Sequence, residues 1–166
     1  MSKEWLTDEE WHLVEGRMPI ACVDVLPLRN AEGSPQEVGL IWRPAPVDQH
    51  WCLIGGRILR NESVEEAQQR LLTDSLGPHI RWRSRTNEQP IYVAQYFPHK
   101  RAGYPRDPRK HAVALTYVVD LDGRIEPSGE AAGGFRWFAS DSLSSVDFGF
   151  EQGLVVERCL AALRDL

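Results

Sequence analysis

The residues whose types and spacing could do chemistry begin at Gly55-Gly56-Arg57 and continue through Glu62, Arg70, Asp74 and Gly77. Trp51 to Ile54 reads as an apolar strand running into the glycines, and Ser63 reads as the start of a helix that stops at Gly77-Pro78. Strand, glycine turn and helix N-terminus together let a phosphate approach the backbone closely. Ser63 and Glu66 have the spacing of a capping box, in which each side chain satisfies an orphan backbone N–H of the first turn. Val64, Ala67, Leu71, Leu72 and Leu76 form an apolar stripe, which leaves Glu66, Arg70 and Asp74 stacked four residues apart on a polar face. That face is either an anion and metal site or a surface ladder of paired charges.

A second constellation is the basic, proline-broken stretch from His99 to His111. Arg109 and Lys110 have the charge to clamp a diphosphate, and Tyr104 has the ring to stack on a base or sugar. The competing reading is a solvated connector, because long loops serve both purposes. His111, at the start of a strand, is a candidate base or phosphate donor; a histidine hydrogen-bonded at a sheet edge is the alternative. His12, His50 and His79 show no partner spacing.

The elements that must position these groups are legible along the chain. Thr7 opens a helix running to Gly16, and strands are expected over Pro19–Leu28, Val38–Trp42, Ile80–Arg83, Ile91–Phe97, His111–Asp120 and Phe135–Phe138. Asn30-Ala31-Glu32-Gly33-Ser34 reads as a turn, and 44–49 as a loop. A last helix spans about Phe150–Leu163. The expectation is one domain over 1–166, with 1–18 as a helical extension and 19–166 as the sandwich.

Composition narrows the function. A chain of 166 residues suits one domain, and a net charge of -5 with pI near 5.5 argues against general nucleic-acid binding. No apolar run reaches membrane-spanning length and no signal segment opens the chain, so a cytoplasmic location is expected. Cys22, Cys52 and Cys159 are odd in number and widely spaced in apolar sequence, which points to buried, reduced thiols. Most of the six tryptophans belong in the core. Trp5 and Trp11, outside the sandwich, are expected at the interface of a homodimer.

The spacing of Gly56, Glu62, Arg70, Leu72 and Gly77 resembles the Nudix box, with Asp74 replacing the first glutamate of its acidic pair and Leu71 and Ser75 replacing two further acids. That resemblance implies an α/β/α sandwich with a mixed β-sheet. Gly-Gly-Arg at the start and Leu71 after Arg70 also resemble the GDP-mannose mannosyl hydrolase branch. Ser75, Ala131 and Ala132 depart from its metal-ligand and base positions. The Tyr96-Phe97-Pro98 and Asp107-Pro108-Arg109 segments, with His111-Ala112-Val113, resemble more closely an uncharacterised bacterial Nudix-like family of this length.

The resemblance implies a magnesium-dependent hydrolase of a nucleoside diphosphate linked to another group, such as a nucleotide sugar. Arg70, Asp74 and His111 are then the catalytic candidates, and Gly56, Arg57, Tyr104, Arg109 and Lys110 hold substrate. Magnesium is expected to bind weakly, with substrate assistance, to Asp74, the Gly56 carbonyl and Glu66 or Glu130. Glu62 is expected to hold Arg70. The alternative is a Nudix-fold module that has lost catalysis and binds a nucleotide or nucleotide sugar. Leu71, Ser75, Ala131 and Ala132 point that way.

Overall fold

The computed structural model describes residues 6–30, 36–44 and 49–165. The turn expected at Asn30–Ser34, from residue 31 on, the middle of the 44–49 loop and Trp5 lie outside the described residues. The elements are α1 (Asp8–Glu15), β1 (Ile20–Arg29), β2 (Glu37–Trp42), β3 (Trp51–Cys52), β4 (Ile54–Arg57), α2 (Val64–Leu76), β5 (Arg81–Ser84), β6 (Tyr92–Tyr96), β7 (Ala112–Asp122), β8 (Phe135–Ala139) and α3 (Gly153–Arg164).

The strands form a mixed eight-stranded sheet. At its centre β1 runs parallel to β7, paired from Ile20↔Ala112 to Leu28↔Asp120. Covered on both faces, β1 is an almost unbroken buried run, as parallel central strands are. Its other edge is shared: Cys22–Val25 pair with β4 and Leu28–Arg29 with β2. Pro27 falls in the gap between those two pairings. On the far side of β7, β6 and β5 pair in succession, and β2 carries β3 and β8.

Alternation along β1 divides the core in two. Val23 and Val25 face Ile54, Leu72, Leu76, Tyr117 and Val119 on the α2 side. Cys22, Leu26 and Leu28 face Leu40, Val118, Val155, Val156 and Cys159 on the α3 side. The result is helix, sheet, helix. Helix α2 has the expected phase: Leu72 and Leu76 are fully buried, Glu66 and Asp74 exposed. Its capping box is complete, with Ser63 Oγ accepting from Glu66 N at 3.1 Å and Glu66 accepting from Ser63 N at 2.7 Å. Gly77, at φ 95°, ends the helix in a conformation that favours glycine.

The structure corrects four expectations. The apolar run over 51–54 is broken at Leu53, whose N–H turns to the Gln152 side chain at 2.8 Å instead of a strand partner. Gly55 and Gly56 lie inside β4 rather than in a turn, and the turn comes at 58–63, where Asn61 has φ 62°. His111 precedes β7 instead of opening it. The last helix starts at Gly153, because Phe150 and Glu151 both have positive φ in a preceding 3-10 turn.

Candidate active site

The glycine strand presents two different surfaces. Gly55 faces Asp24, whose Oδ1 would lie 2.1 Å from a Cβ added at that glycine. Gly56 faces the opposite way, where Leu71 Cδ2 of α2 would lie 2.8 Å from an added Cβ. Each glycine makes room for a neighbour's side chain, one acidic and one hydrocarbon.

On the Asp24 side lies a cavity of about 270 Å³. Cys22 and Asp24 of β1, Ala112 and Ala114 of β7 and Tyr96 of β6 supply part of its lining; Arg43, Arg57, Arg109 and Lys110 bring four cations to it. Asp24, Asp107 and Glu130 are the opposing carboxyls. Aromatic rings position two of the guanidinium groups: Arg57 lies 4.1 Å from the Trp11 ring centre and Arg109 4.5 Å from that of Phe150. Lys110 Nζ is 5.9 Å from the Trp11 ring.

Asp24 is 5 % exposed and accepts a 2.7 Å hydrogen bond from Tyr96 Oη on Oδ2. Gln152 Nε2 donates to the same tyrosine at 3.2 Å, so one glutamine ties the strand break at Leu53 to the floor of the cavity. Burial pushes the Asp24 carboxyl up to about 6, opposed by the Tyr96 hydrogen bond and the charges of Arg43 and Lys110. Burial likewise pushes the Tyr96 phenol well above its usual range and the Cys22 thiol up to about 11, which leaves that cysteine protonated and unreactive. For Asp107, burial opposes ionisation, but the hydrogen bonds and charge of Arg109 prevail and hold the carboxyl low. Arg109 grips it at 2.9 and 2.8 Å.

Two arginines cap alternate carbonyls of β4. Arg43 Nη2 donates to Gly55 O at 3.1 Å while pairing with Glu130 at 2.8 Å. Arg70 Nη2 donates to Arg57 O at 2.9 Å and grips Glu62 through two bonds of 2.6 and 2.8 Å. Glu62 thus holds Arg70, as expected, and Glu62 also accepts from Leu59 N at 2.9 Å, closing the turn before α2.

Of the sequence candidates, Gly56, Arg57, Arg109, Lys110 and Glu130 line the cavity. Arg70, Asp74, Glu66, Tyr104 and His111 do not. Asp74 is exposed, with its backbone carbonyl accepting from Ser128 Oγ at 2.8 Å. Glu66 is engaged in the capping box. Tyr104 packs edge-on against Phe97 at 5.2 Å, and His111 stacks on the same ring at 4.7 Å. Sequence reasoning passed over Asp24, Arg43, Tyr96, Asp107 and Gln152. Asp24 had a signal, as an acid within an apolar strand; Arg43 and Gln152 had none, since only the fold brings them to β4.

Comparison with known structures places this architecture. A Jonesia denitrificans protein described as a possible asymmetric diadenosine tetraphosphate hydrolase is similar at 27 % identity and TM-score 0.74, over 88 % of this chain and 95 % of that one. The Nudix domain of Shewanella oneidensis NrtR, solved with ADP ribose, is similar at 17 % identity and TM-score 0.60, over 95 % and 99 %. An ADP-ribose pyrophosphatase from Streptococcus suis aligns at 17 % identity and TM-score 0.62, over 89 % and 93 %. No curated protein matches the sequence. The fold is that of the Nudix hydrolases. Residues 1–163 match the family described as Domain of unknown function (DUF4916), and with nearly its whole length accounted for on the Nudix fold, the chain belongs to that family.

Proposed function

We propose that this protein binds the diphosphate of a nucleotide-type ligand in the cavity beside β4. The observation that carries the reading is the convergence of Arg43, Arg57, Arg109 and Lys110 on one cavity in a protein whose net charge is -5. Concentrated cations in an acidic molecule are matched to an anion, and guanidinium and ammonium donors are the usual recognition groups for phosphate. Its volume, about 270 Å³, sits at the low end for a ligand pocket, enough for the diphosphate and one adjoining group. ADP ribose, the ligand of the Shewanella domain, is the first compound to try.

Two readings share this cavity. In the first the protein hydrolyses a nucleoside diphosphate linked to another group, such as a nucleotide sugar, with magnesium supplied alongside substrate; the Glu62–Arg70 pair bracing β4 supports it. In the second the fold binds its ligand without turnover, and the Leu71 side chain against Gly56 supports that one. We adopt the second. The expected magnesium donors do not converge on the cavity: Glu66 caps the helix, Asp74 is exposed outside the cavity lining, Glu130 is paired with Arg43, and beside Gly56 the side chain of Leu71 supplies hydrocarbon. Among the described residues, no group of three or more His, Cys, Asp or Glu side chains is arranged to hold a metal ion.

Calorimetric titration with ADP ribose tests the binding itself. Lys110→Ala, which removes a cation held only loosely by Asp107 at 4.0 Å, should weaken binding by about 1.5–3 kcal/mol, the value of a charged hydrogen bond. Affinity unchanged in Lys110→Ala and in Arg57→Ala would overturn the placement of the diphosphate in this cavity.

A further inference from the structure

We infer that the cavity takes its diphosphate as the metal-free anion, with arginine and lysine side chains occupying the place that a divalent cation holds in metal-dependent phosphate sites. The inference rests on the diphosphate-binding reading and adds the ionic form of the ligand.

The first support is the state of β4. A metal bound beside a glycine strand takes one or two carboxylates, with backbone carbonyl, phosphate or water oxygens completing its shell. Here the Gly55 carbonyl already accepts from the Arg43 guanidinium and the Arg57 carbonyl from that of Arg70. Fixed positive charge thus lies at the two carbonyls that flank Gly56.

The second support is the fate of each nearby acid. Glu62 is taken by Arg70, Glu130 by Arg43 and Asp107 by Arg109. Asp24 is bound by Tyr96 on one oxygen, and burial disfavours its ionised form. A divalent ion entering the cavity would have to displace a cation from Glu62, Glu130 or Asp107, or ionise the buried Asp24, and would sit among four positive side chains, an arrangement that Coulomb repulsion in a partly buried site penalises. An unchelated diphosphate meets the opposite situation.

The third support is preorganisation. Trp11 lies against Arg57 and Phe150 against Arg109, so aromatic faces fix the two guanidinium planes before any ligand arrives. A metal ion commonly fixes phosphate oxygens in position; prepositioned guanidinium forks can do the same without one.

Titration of the full chain with inorganic diphosphate and with ADP ribose, once in EDTA and once in millimolar magnesium, tests the inference. Affinity in EDTA should equal or exceed that in magnesium, because magnesium ties up the phosphate oxygens that the side chains would bind. Lys110→Gln and Arg57→Gln should each weaken binding in EDTA by about tenfold or more, with circular dichroism confirming that the variants are folded. Binding at least tenfold tighter in magnesium would overturn the inference while leaving the diphosphate reading intact. Metal-independent binding that neither variant alters would also overturn it, since the anion would then lie elsewhere. Absence of binding in both buffers removes the inference together with the reading on which it rests.

Discussion

Asp24 concentrates the residue-scale chemistry of this molecule: a carboxyl 5 % exposed, held by a tyrosine and facing a cationic cavity. Its folded-state pKa, about 6, lies above the ordinary aspartate value of 3.8, so ionisation costs more in the folded protein than in the unfolded chain. A raised carboxyl contributes most at pH below 3.8, and that contribution is lost as pH climbs through about 6. Asp24→Asn keeps an acceptor for Tyr96 and removes the titration. Relative to wild type, the variant should therefore gain on the order of 2–3 kcal/mol on moving from pH 4 to pH 8, because the Asp24 carboxyl is raised from 3.8 to about 6 and each unit of pKa corresponds to about 1.36 kcal/mol. Urea unfolding at both pH values measures this, and a stability difference that does not change with pH would refute it. Lys110 and Arg109 differ at this scale as well. Arg109 anchors the largely buried Asp107, whereas Lys110 is 4.0 Å from the same carboxylate, which makes Lys110 the better probe of binding separate from folding.

At the scale of elements, β4 is where local sequence and tertiary demand meet. Its glycines are there because side chains from two directions need the space: Asp24 over Gly55 and Leu71 over Gly56. Gly55→Ala drives a methyl group into a carboxyl held by Tyr96 and should destabilise by about 1–3 kcal/mol, the usual cost of overpacking. Gly56→Ala meets only the end of a leucine side chain, which can shift, and should cost less. Equal losses in denaturant midpoint would show that the Asp24 contact does not constrain Gly55. Helix α2 was legible from its capping box and apolar stripe, both local patterns. What the stripe did not reveal is that Leu71 turns toward Gly56, because a helical pattern tells which side is buried but not what it is buried against.

For the whole molecule, one sheet separates two cores, and the cavity opens on the α3 side with α1 at its rim through Trp11. Trp11, expected at a subunit interface, is half-buried against Arg57, and among the described residues Leu6, Leu13 and Met18 are large apolar side chains left exposed in and around α1. We propose that this segment forms the interface of a homodimer. Sedimentation velocity should give a dimer at micromolar concentration and a monomer for Leu13→Glu, while a wild-type monomer across that range would end the proposal.

Periodicity and caps determined most of the strands and the helix from Ser63 to Gly77, because those signals act between residues three to four apart or on alternate positions, and the resemblance to the Nudix box supplied the layered sandwich. The Glu62–Arg70 pair was expected from the resemblance to the Nudix box. The cavity was not. Asp24, Arg43, Tyr96 and Gln152 lie in four separate parts of the chain, and they meet only because β1 lies between β4 and β7, β6 pairs with β7 and α3 packs beneath them. Tertiary structure also chose among the charges. Arg57, Arg109 and Lys110 went to the cavity, Glu66 to a helix cap and Asp74 to the surface. Residue type is written locally, but whether a charge is desolvated, paired or left to meet a ligand depends on neighbours that the fold brings from far along the chain.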